Sequence, residues 1–182
     1  MISNDQYQNF IEAVINELDG DWLIVGGSLL SVVQSNSRHT VDIDLCPVDE
    51  MTNEKRLNLM DIAQKCKLSI EAINPAADFF VRQIANWKSE IILYKKGLKG
   101  SLFRPSLKLF FQLKFKRSSQ SDLQDCSLYL QWHQKENLKY SSIELTELIN
   151  NQISNSCELS EETLIQLQNL LKDVNHNNKP RP

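Results

Sequence analysis

The sequence predicts an α+β protein in which a short mixed β-sheet, flanked by helices, is followed by a C-terminal helical bundle. Short apolar runs bounded by glycine, proline or asparagine occur in the first 104 residues and are typical of buried strands. After Pro105 the apolar residues recur at helical spacing. We therefore expect an α/β core over residues 1–104, a helical region packed on it over 105–175, and a disordered tail over 176–182.

The order of the predicted elements follows from this patterning. Apolar spacing and capping residues predict helices in the first half over 4–18, from Ser28 to Val33, over 53–67, and just after Asn74-Pro75. Strands are expected over 22–25, 40–45 and 68–73, and a hairpin over 90–103. In the second half, serines precede three of the four predicted helices, which cover 107–116, 122–133, and the stretches after Ser141 and Ser160.

Bulk composition excludes several classes of protein. The net charge of −3 and the isoelectric point near 5.6 argue against a protein whose main function is to bind the nucleic-acid backbone. The four cysteines are scattered, without the paired spacing of a zinc site. The N-terminal residues lack a secretory pattern, and no apolar run is as long as a membrane span. We expect a cytoplasmic protein that does not associate with membranes.

Two aspartates on alternate residues are the first candidate site. Asp42 and Asp44 lie on one side of the predicted strand 40–45, although aspartate is a poor strand former. Carboxylates at that spacing are about 6–7 Å apart, and at an effective dielectric constant near 20 they repel by about 2–3 kcal/mol. A divalent cation between them would relieve this repulsion. Mg²⁺ suits such a site because it prefers one or two carboxylates together with phosphate oxygens.

The turn Gly26-Gly27-Ser28 is the second candidate. It follows a predicted buried strand and opens a predicted helix. Glycines let backbone N–H groups approach a phosphate, while the helix N-terminus and the serine hydroxyl provide further attraction. The turn is neither a P-loop nor a dinucleotide fingerprint. A phosphate site next to a two-carboxylate site is the minimum that transfer of a nucleotidyl group requires.

These residues resemble a known family. The stretch 25–28, VGGS, followed by 38–45, RHTVDIDL, resembles the signature of polymerase-β-like nucleotidyltransferases, and most closely that of the abortive-infection nucleotidyltransferase toxins. The later stretch 113–125, LKFKRSSQSDLQD, resembles that family's C-terminal motif, in which a helical lysine and an arginine precede D-x-x-D. The resemblance covers roughly residues 22 to 130.

The resemblance implies a role for each matching residue. Asp42 and Asp44 would hold Mg²⁺, and Gly26, Gly27 and Ser28 would bind the triphosphate. Lys114 would contact a phosphate or help to activate the acceptor. Arg117, Asp122 and Asp125 would belong to the nucleotide-binding region, where the two aspartates would either line the pocket or fix Lys114 and Arg117. Arg38 would either contact a phosphate there or form a structural pair with a nearby acid.

Catalytic members of the superfamily usually add a third acid from a later strand, which acts as the general base. Glu71, in the predicted strand 68–73, is the candidate here, and Glu90 is the reserve. The implied reaction is Mg²⁺-dependent transfer of a nucleoside monophosphate from a nucleoside triphosphate to a hydroxyl group. The implied acceptors are tRNA or a protein, and a cognate antitoxin is the implied partner. The alternatives are a catalytically inactive binding or regulatory member, and a nucleotidyltransferase acting on small molecules such as aminoglycosides.

Overall fold

The computed structural model describes residues 4–33, 42–74, 76–155 and 159–176. They form an α+β protein that is 64% helical, with eight α-helices and a mixed sheet of four strands. The chain divides into two compact units, the first ending at Pro105 and the second beginning at Ser106.

The described residues of the first unit form four α-helices and four strands. Its helices, in chain order, are α1 (Asn4–Glu17), α2 (Gly26–Val33), α3 (Asn53–Lys65) and α4 (Ala76–Arg82). Its strands are β1 (Gly20–Ile24), β2 (Leu45–Pro47), β3 (Ile91–Lys96) and β4 (Gly100–Pro105). Short 3-10 helices cover Ile70–Ala72 and Trp87–Glu90.

The sheet order β2-β1-β4-β3 brings distant parts of the chain together. β1 pairs parallel with β4 and antiparallel with β2, while β3 and β4 form an antiparallel hairpin. α1 packs against β4, α2 and α3, and α4 packs against β2. The core between these layers is apolar and includes Phe10, Trp22 and Leu29, each at most 1% exposed. Because Ile24 pairs with Leu45, the residues after β1 lie beside those before β2.

The second unit consists of α5 (Leu107–Phe115), α6 (Gln120–Lys135), α7 (Ser142–Asn155) and α8 (Glu161–His176). Within it α5 contacts α6 and α7, and α8 also contacts α6 and α7. Phe110 and Tyr129 are fully buried and lie with ring centroids 4.7 Å apart. Serine caps mark two helix starts, since Ser106 accepts from the Leu109 amide and Ser119 from the Asp122 amide.

Two strand predictions are wrong. The segment 68–73 was expected to be a strand, but Ile70–Ala72 is a 3-10 helix and only Ile73 forms a bridge, parallel to Ile43. Local bonds from the Ala72 amide to the Ser69 carbonyl (3.0 Å) and from the Ile73 amide to the Ile70 carbonyl (3.1 Å) replace a ladder. The predicted strand 40–45 is also displaced, because β2 begins only at Leu45. Thr40 and Val41, like the tail after His176, lie outside the described residues.

Candidate functional site

The candidate site lies where β1 ends and β2 begins. The Val25 amide donates to the Asp44 carbonyl over 2.9 Å, continuing the antiparallel pairing of the two strands. The chain then turns directly into α2 at Gly26. This path places the Asp44 side chain, which is half-buried, against the first turn of α2.

Gly26 is required at this point for two reasons. Its backbone has φ +63°, a left-handed conformation that costs other residues about 1–2 kcal/mol. A Cβ atom at Gly26 would also overlap Oδ2 of Asp44. The Asp44 carboxylate therefore occupies the space that a side chain at Gly26 would fill. A carboxylate beside a helix N-terminus is favourably placed, because the helix dipole is positive there.

Ser28, which the sequence predicts to bind phosphate, forms hydrogen bonds with the protein backbone. It is fully buried, and its hydroxyl donates to the Val25 carbonyl over 2.7 Å. The same oxygen accepts from the Asp44 amide over 3.0 Å. The serine thus fixes the backbone of the aspartate segment. In the first turn of α2, the half-buried Gly26 and Gly27 supply the amides that have no partner within the helix.

Asn74 is part of the site, and the sequence reasoning missed it. Its Nδ2 donates to Asp44 Oδ1 over 2.7 Å, and its Oδ1 accepts from the Ala76 amide over 3.1 Å at the start of α4. Backbone bonds from Ile43 N to Ala72 O (2.6 Å) and from Asn74 N to Ile43 O (3.0 Å) bring the two segments together. The available signal was an asparagine two residues before a helix, a position where its side chain commonly accepts from the backbone.

A second missed residue is Tyr7 of α1, whose hydroxyl lies beside the Ser28 hydroxyl. Its ring is 1% exposed, and its hydroxyl forms no geometrically complete hydrogen bond among the described residues. Burial raises the pKa of the Tyr7 phenol; the neighbouring Ser28 hydroxyl lowers this pKa and the Asp44 charge raises it, with a net upward shift. The phenol is therefore neutral and contributes no charge to the site.

Asp42 lies two residues before Asp44 and is exposed, in a bend rather than in a strand. No group of three or more metal-ligating side chains occurs in the described ranges. The pair nevertheless fits Mg²⁺, which binds through one or two carboxylates and completes its coordination with phosphate oxygens and water. The space beside Gly26 and the bond from Asn74 fix one of these carboxylates in place.

The two candidates for the third acid lie in different parts of the first unit. Glu71 is exposed and lies in the 3-10 helix, not in a strand. The reserve candidate, Glu90, is half-buried and directly precedes β3. β3 is three strand spacings from β2, about 14 Å across the sheet.

The C-terminal motif forms a buried ion-pair cluster within the second unit. Lys114 is 6% exposed, and its Nζ lies 3.1 Å from Asp122 Oδ1 and 2.6 Å from Asp125 Oδ2. Arg117, whose side chain is 74% exposed, reaches Asp122 Oδ1 over 2.8 Å. Both aspartates therefore contact basic side chains in this cluster.

Asp122 also belongs to the start of α6. The Ser119 hydroxyl donates to Asp122 Oδ2 over 2.6 Å and caps the helix by accepting from the Asp122 amide. Burial raises the pKa of the Asp122 carboxyl. Hydrogen bonds from Ser119, Arg117 and Lys114, together with the Lys114 charge, outweigh this effect and hold the pKa below its ordinary value of 3.8. The carboxylate is ionised at neutral pH and neutralises its basic partners.

Arg38, the remaining predicted nucleotide-binding residue, lies outside the described residues. Comparison with protein-family models, with curated proteins and with solved structures finds no match to this chain. Within the described ranges, no helix has both the length and the apolar character needed to cross a membrane.

Proposed function

We propose that the protein is a Mg²⁺-dependent nucleotidyltransferase of the polymerase-β-like type. The observation that supports this most is the position of the Asp44 carboxylate, held by Asn74 directly against Gly26 at the N-terminus of α2. A helix N-terminus favours phosphate, and an adjacent carboxylate is the ligand that Mg²⁺ brings to a phosphate. Asp42 is the second carboxylate, two residues away.

In this proposal each residue of the site has a defined task. Asp42 and Asp44 hold Mg²⁺, which when bound neutralises charge on the phosphates. The amides of Gly26 and Gly27 donate to the triphosphate. Ser28 and Asn74 keep the aspartate segment in register with the turn. The acceptor oxygen bonds to the α-phosphorus and releases its proton to water, while the bond from that phosphorus to the departing pyrophosphate breaks.

The test incubates the protein and Mg²⁺ with each nucleoside triphosphate labelled at the α-phosphate, offering total tRNA and the protein itself as acceptors. Label should appear on one acceptor and disappear in the double variant Asp42→Asn, Asp44→Asn. The chain offers a matched control, because Asp19 and Asp21 have the same spacing and are exposed near the start of β1. The double variant Asp19→Asn, Asp21→Asn should keep full activity, and equal loss in both double variants would contradict the proposal.

The second candidate is a nucleotidyltransferase-fold protein that binds nucleotide without turnover. It is favoured by the absence of a third acid grouped with Asp42 and Asp44 in the described ranges. The engagement of Lys114 by two buried carboxylates also favours it. Here no acceptor would be labelled, yet nucleoside triphosphate with Mg²⁺ should raise the melting temperature. Ligand at 100 times its dissociation constant adds about 2.7 kcal/mol of stability. The Asp42 and Asp44 double variant should lose that shift.

A further inference from the structure

Tyr7 places a polar atom on the buried face of α1. It shares that face with Phe10, Ile11 and Val14, which follow it at helical spacing and are all buried. Tyr7 is 1% exposed, and its hydroxyl forms no geometrically complete hydrogen bond among the described residues. A phenylalanine would fill the same space without burying a polar group. Because a buried hydroxyl without a partner costs stability, this oxygen requires an explanation.

The Tyr7 hydroxyl lies beside Ser28 of α2, and α1 packs against α2. A serine hydroxyl has one proton to donate and two lone pairs that accept. The Ser28 proton is donated to the Val25 carbonyl over 2.7 Å, and one lone pair accepts from the Asp44 amide over 3.0 Å. Within the described ranges these two bonds leave one acceptor position on the Ser28 oxygen. A phenol suits that position, because tyrosine keeps its proton at neutral pH.

The Ser28 oxygen is connected to the candidate site through the backbone of Asp44. Its bond to the Asp44 amide holds the segment that places the Asp44 carboxylate against Gly26. Both bonds of Ser28 described above lead to backbone groups near the ends of β1 and β2. A donor on α1 would attach the same oxygen to a second helix, and buried hydrogen bonds that share an atom strengthen one another. A phenol bonded there therefore reaches Asp44 through a single oxygen atom.

We propose that Tyr7 is a positioning residue of the candidate site, whose hydroxyl donates to Ser28 Oγ while Ser28 in turn holds the Asp44 backbone. The chain of bonds from Tyr7 through Ser28 to Asp44 links α1 to the aspartate segment. Tyr7 acts through Ser28 and contacts neither a metal ion nor a nucleotide. That the positioned carboxylate serves Mg²⁺ and a nucleoside triphosphate rests on the proposed function, whereas the bond from Tyr7 to Ser28 does not.

Urea unfolding tests the bond without any ligand. Tyr7→Phe removes one oxygen atom and keeps the buried ring. It should lower the urea midpoint if the hydroxyl donates to Ser28, but raise it if the hydroxyl is unpaired, because the variant then removes an unsatisfied polar group. In the Ser28→Ala background the same change should leave the midpoint unchanged or raise it, since the acceptor is gone. Tyr129→Phe is the matched control, a buried tyrosine of the second unit, and should have the same effect in both backgrounds.

Amide exchange shows whether the bond positions Asp44. The Asp44 amide should exchange roughly threefold or more faster in Tyr7→Phe, and no faster still when Ser28→Ala is combined with it. Tyr129→Phe should leave this rate unchanged. The proposal is overturned by a raised urea midpoint in Tyr7→Phe, by an effect of Tyr7→Phe that is equal in both backgrounds, or by an unchanged exchange rate at Asp44.

Nucleotide binding separates this proposal from the proposed function. Affinity for nucleoside triphosphate with Mg²⁺ should fall roughly threefold or more in Tyr7→Phe, without a further fall in the Ser28→Ala background. An unmodified chain that binds no nucleotide would contradict the proposed function. Unfolding and amide exchange would then still decide the role of Tyr7, because neither measurement uses a ligand.

Discussion

At the scale of single residues, the site depends on one contact between two chain segments. The Asp44 carboxylate occupies the volume that a side chain at Gly26 would fill, and Asn74 holds its other oxygen. Ser28 fixes the Asp44 backbone from the opposite side. Each of these contacts joins residues at least sixteen positions apart in the sequence. A small change at any of them should therefore move the carboxylate.

Gly26→Ala should abolish nucleotide binding, because its Cβ would displace the Asp44 carboxylate. It should also lower the free energy of unfolding by about 1–2 kcal/mol through its left-handed backbone. Gly20→Ala is the control, since Gly20 also has a positive φ (+102°) but no atom lies near its missing Cβ. Nucleoside triphosphate with Mg²⁺ should therefore raise the melting temperature of Gly20→Ala but not that of Gly26→Ala. An unchanged shift in Gly26→Ala would contradict the assigned role of the contact.

Asn74→Ala removes the hydrogen bond that orients Asp44 and should weaken nucleotide binding while costing about 1 kcal/mol of stability. Asn16→Ala provides the comparison, because it removes one side-chain bond to the Leu98 amide, away from the site. Isothermal titration should detect weaker nucleotide binding in Asn74→Ala alone. Equal affinities in the two variants would mean that Asn74 serves only the start of α4.

At the scale of elements, α5 and α6 are joined by charge as well as by apolar packing. Lys114 projects from α5 to Asp122 and Asp125 of α6, and all three are buried. The Ser119 capping box starts α6 at the position that makes this contact possible. The two helices are separated by only four residues, so the ion pairs are local in sequence.

Lys114→Met should destabilise the second unit by about 3–5 kcal/mol, because it leaves two buried carboxylates without their shared cation. Lys135→Met, at the exposed end of α6, should change stability by less than about 0.5 kcal/mol. Urea unfolding followed by circular dichroism gives both values. Similar midpoints for the two variants would show that the buried cluster contributes little.

The same cluster should make the free energy of unfolding depend on pH in the acid range. The pKa of Asp122 is lower in the folded chain than its ordinary value of 3.8, so protons bind more tightly to the unfolded state. The stabilisation is complete well above pH 4 and is lost as the pH falls through the folded pKa. Asp122→Asn should therefore be less stable at pH 7 yet lose less stability between pH 5 and pH 3. Asp173→Asn, an exposed change on α8, should follow the unmodified chain.

At the scale of the whole molecule, the sheet order determines which backbone is protected. β1 and β4 are the inner strands and β2 and β3 are the outer ones, of which β3 has exposed side chains. The second unit has its own buried side chains, among them Leu109, Phe110 and Cys126. Amides in the inner strands should therefore exchange with solvent only on extensive unfolding, and those of β3 by smaller openings.

Hydrogen exchange followed strand by strand should show this difference. The amides of β1 should remain protected after those of β3 have exchanged. Equal exchange rates in the two strands would contradict this expectation.

The sequence alone determined most of the helices. α1 and α3 follow apolar spacing, and the serines predicted to precede α6 include its cap, Ser119. These signals are local, because a helix and its cap involve residues three or four positions apart. The strand β1 and the β3–β4 hairpin were also predicted, from short apolar runs and the glycines beside them.

Tertiary structure decided the rest, because the roles of the site residues depend on partners distant in the chain. Apolar residues over 68–73 suit a strand, but local hydrogen bonds form a turn there instead. The Ile43–Ile73 bridge is the strand-like pairing that remains in this described segment. A serine after two glycines suits a phosphate, but the fold buries Ser28 against the Asp44 backbone. The pairing of β1 with β2 placed Asp44 against Gly26, and the bridge brought in Asn74. Local patterning thus specified the elements, while long-range strand pairing and burial specified which side chains meet.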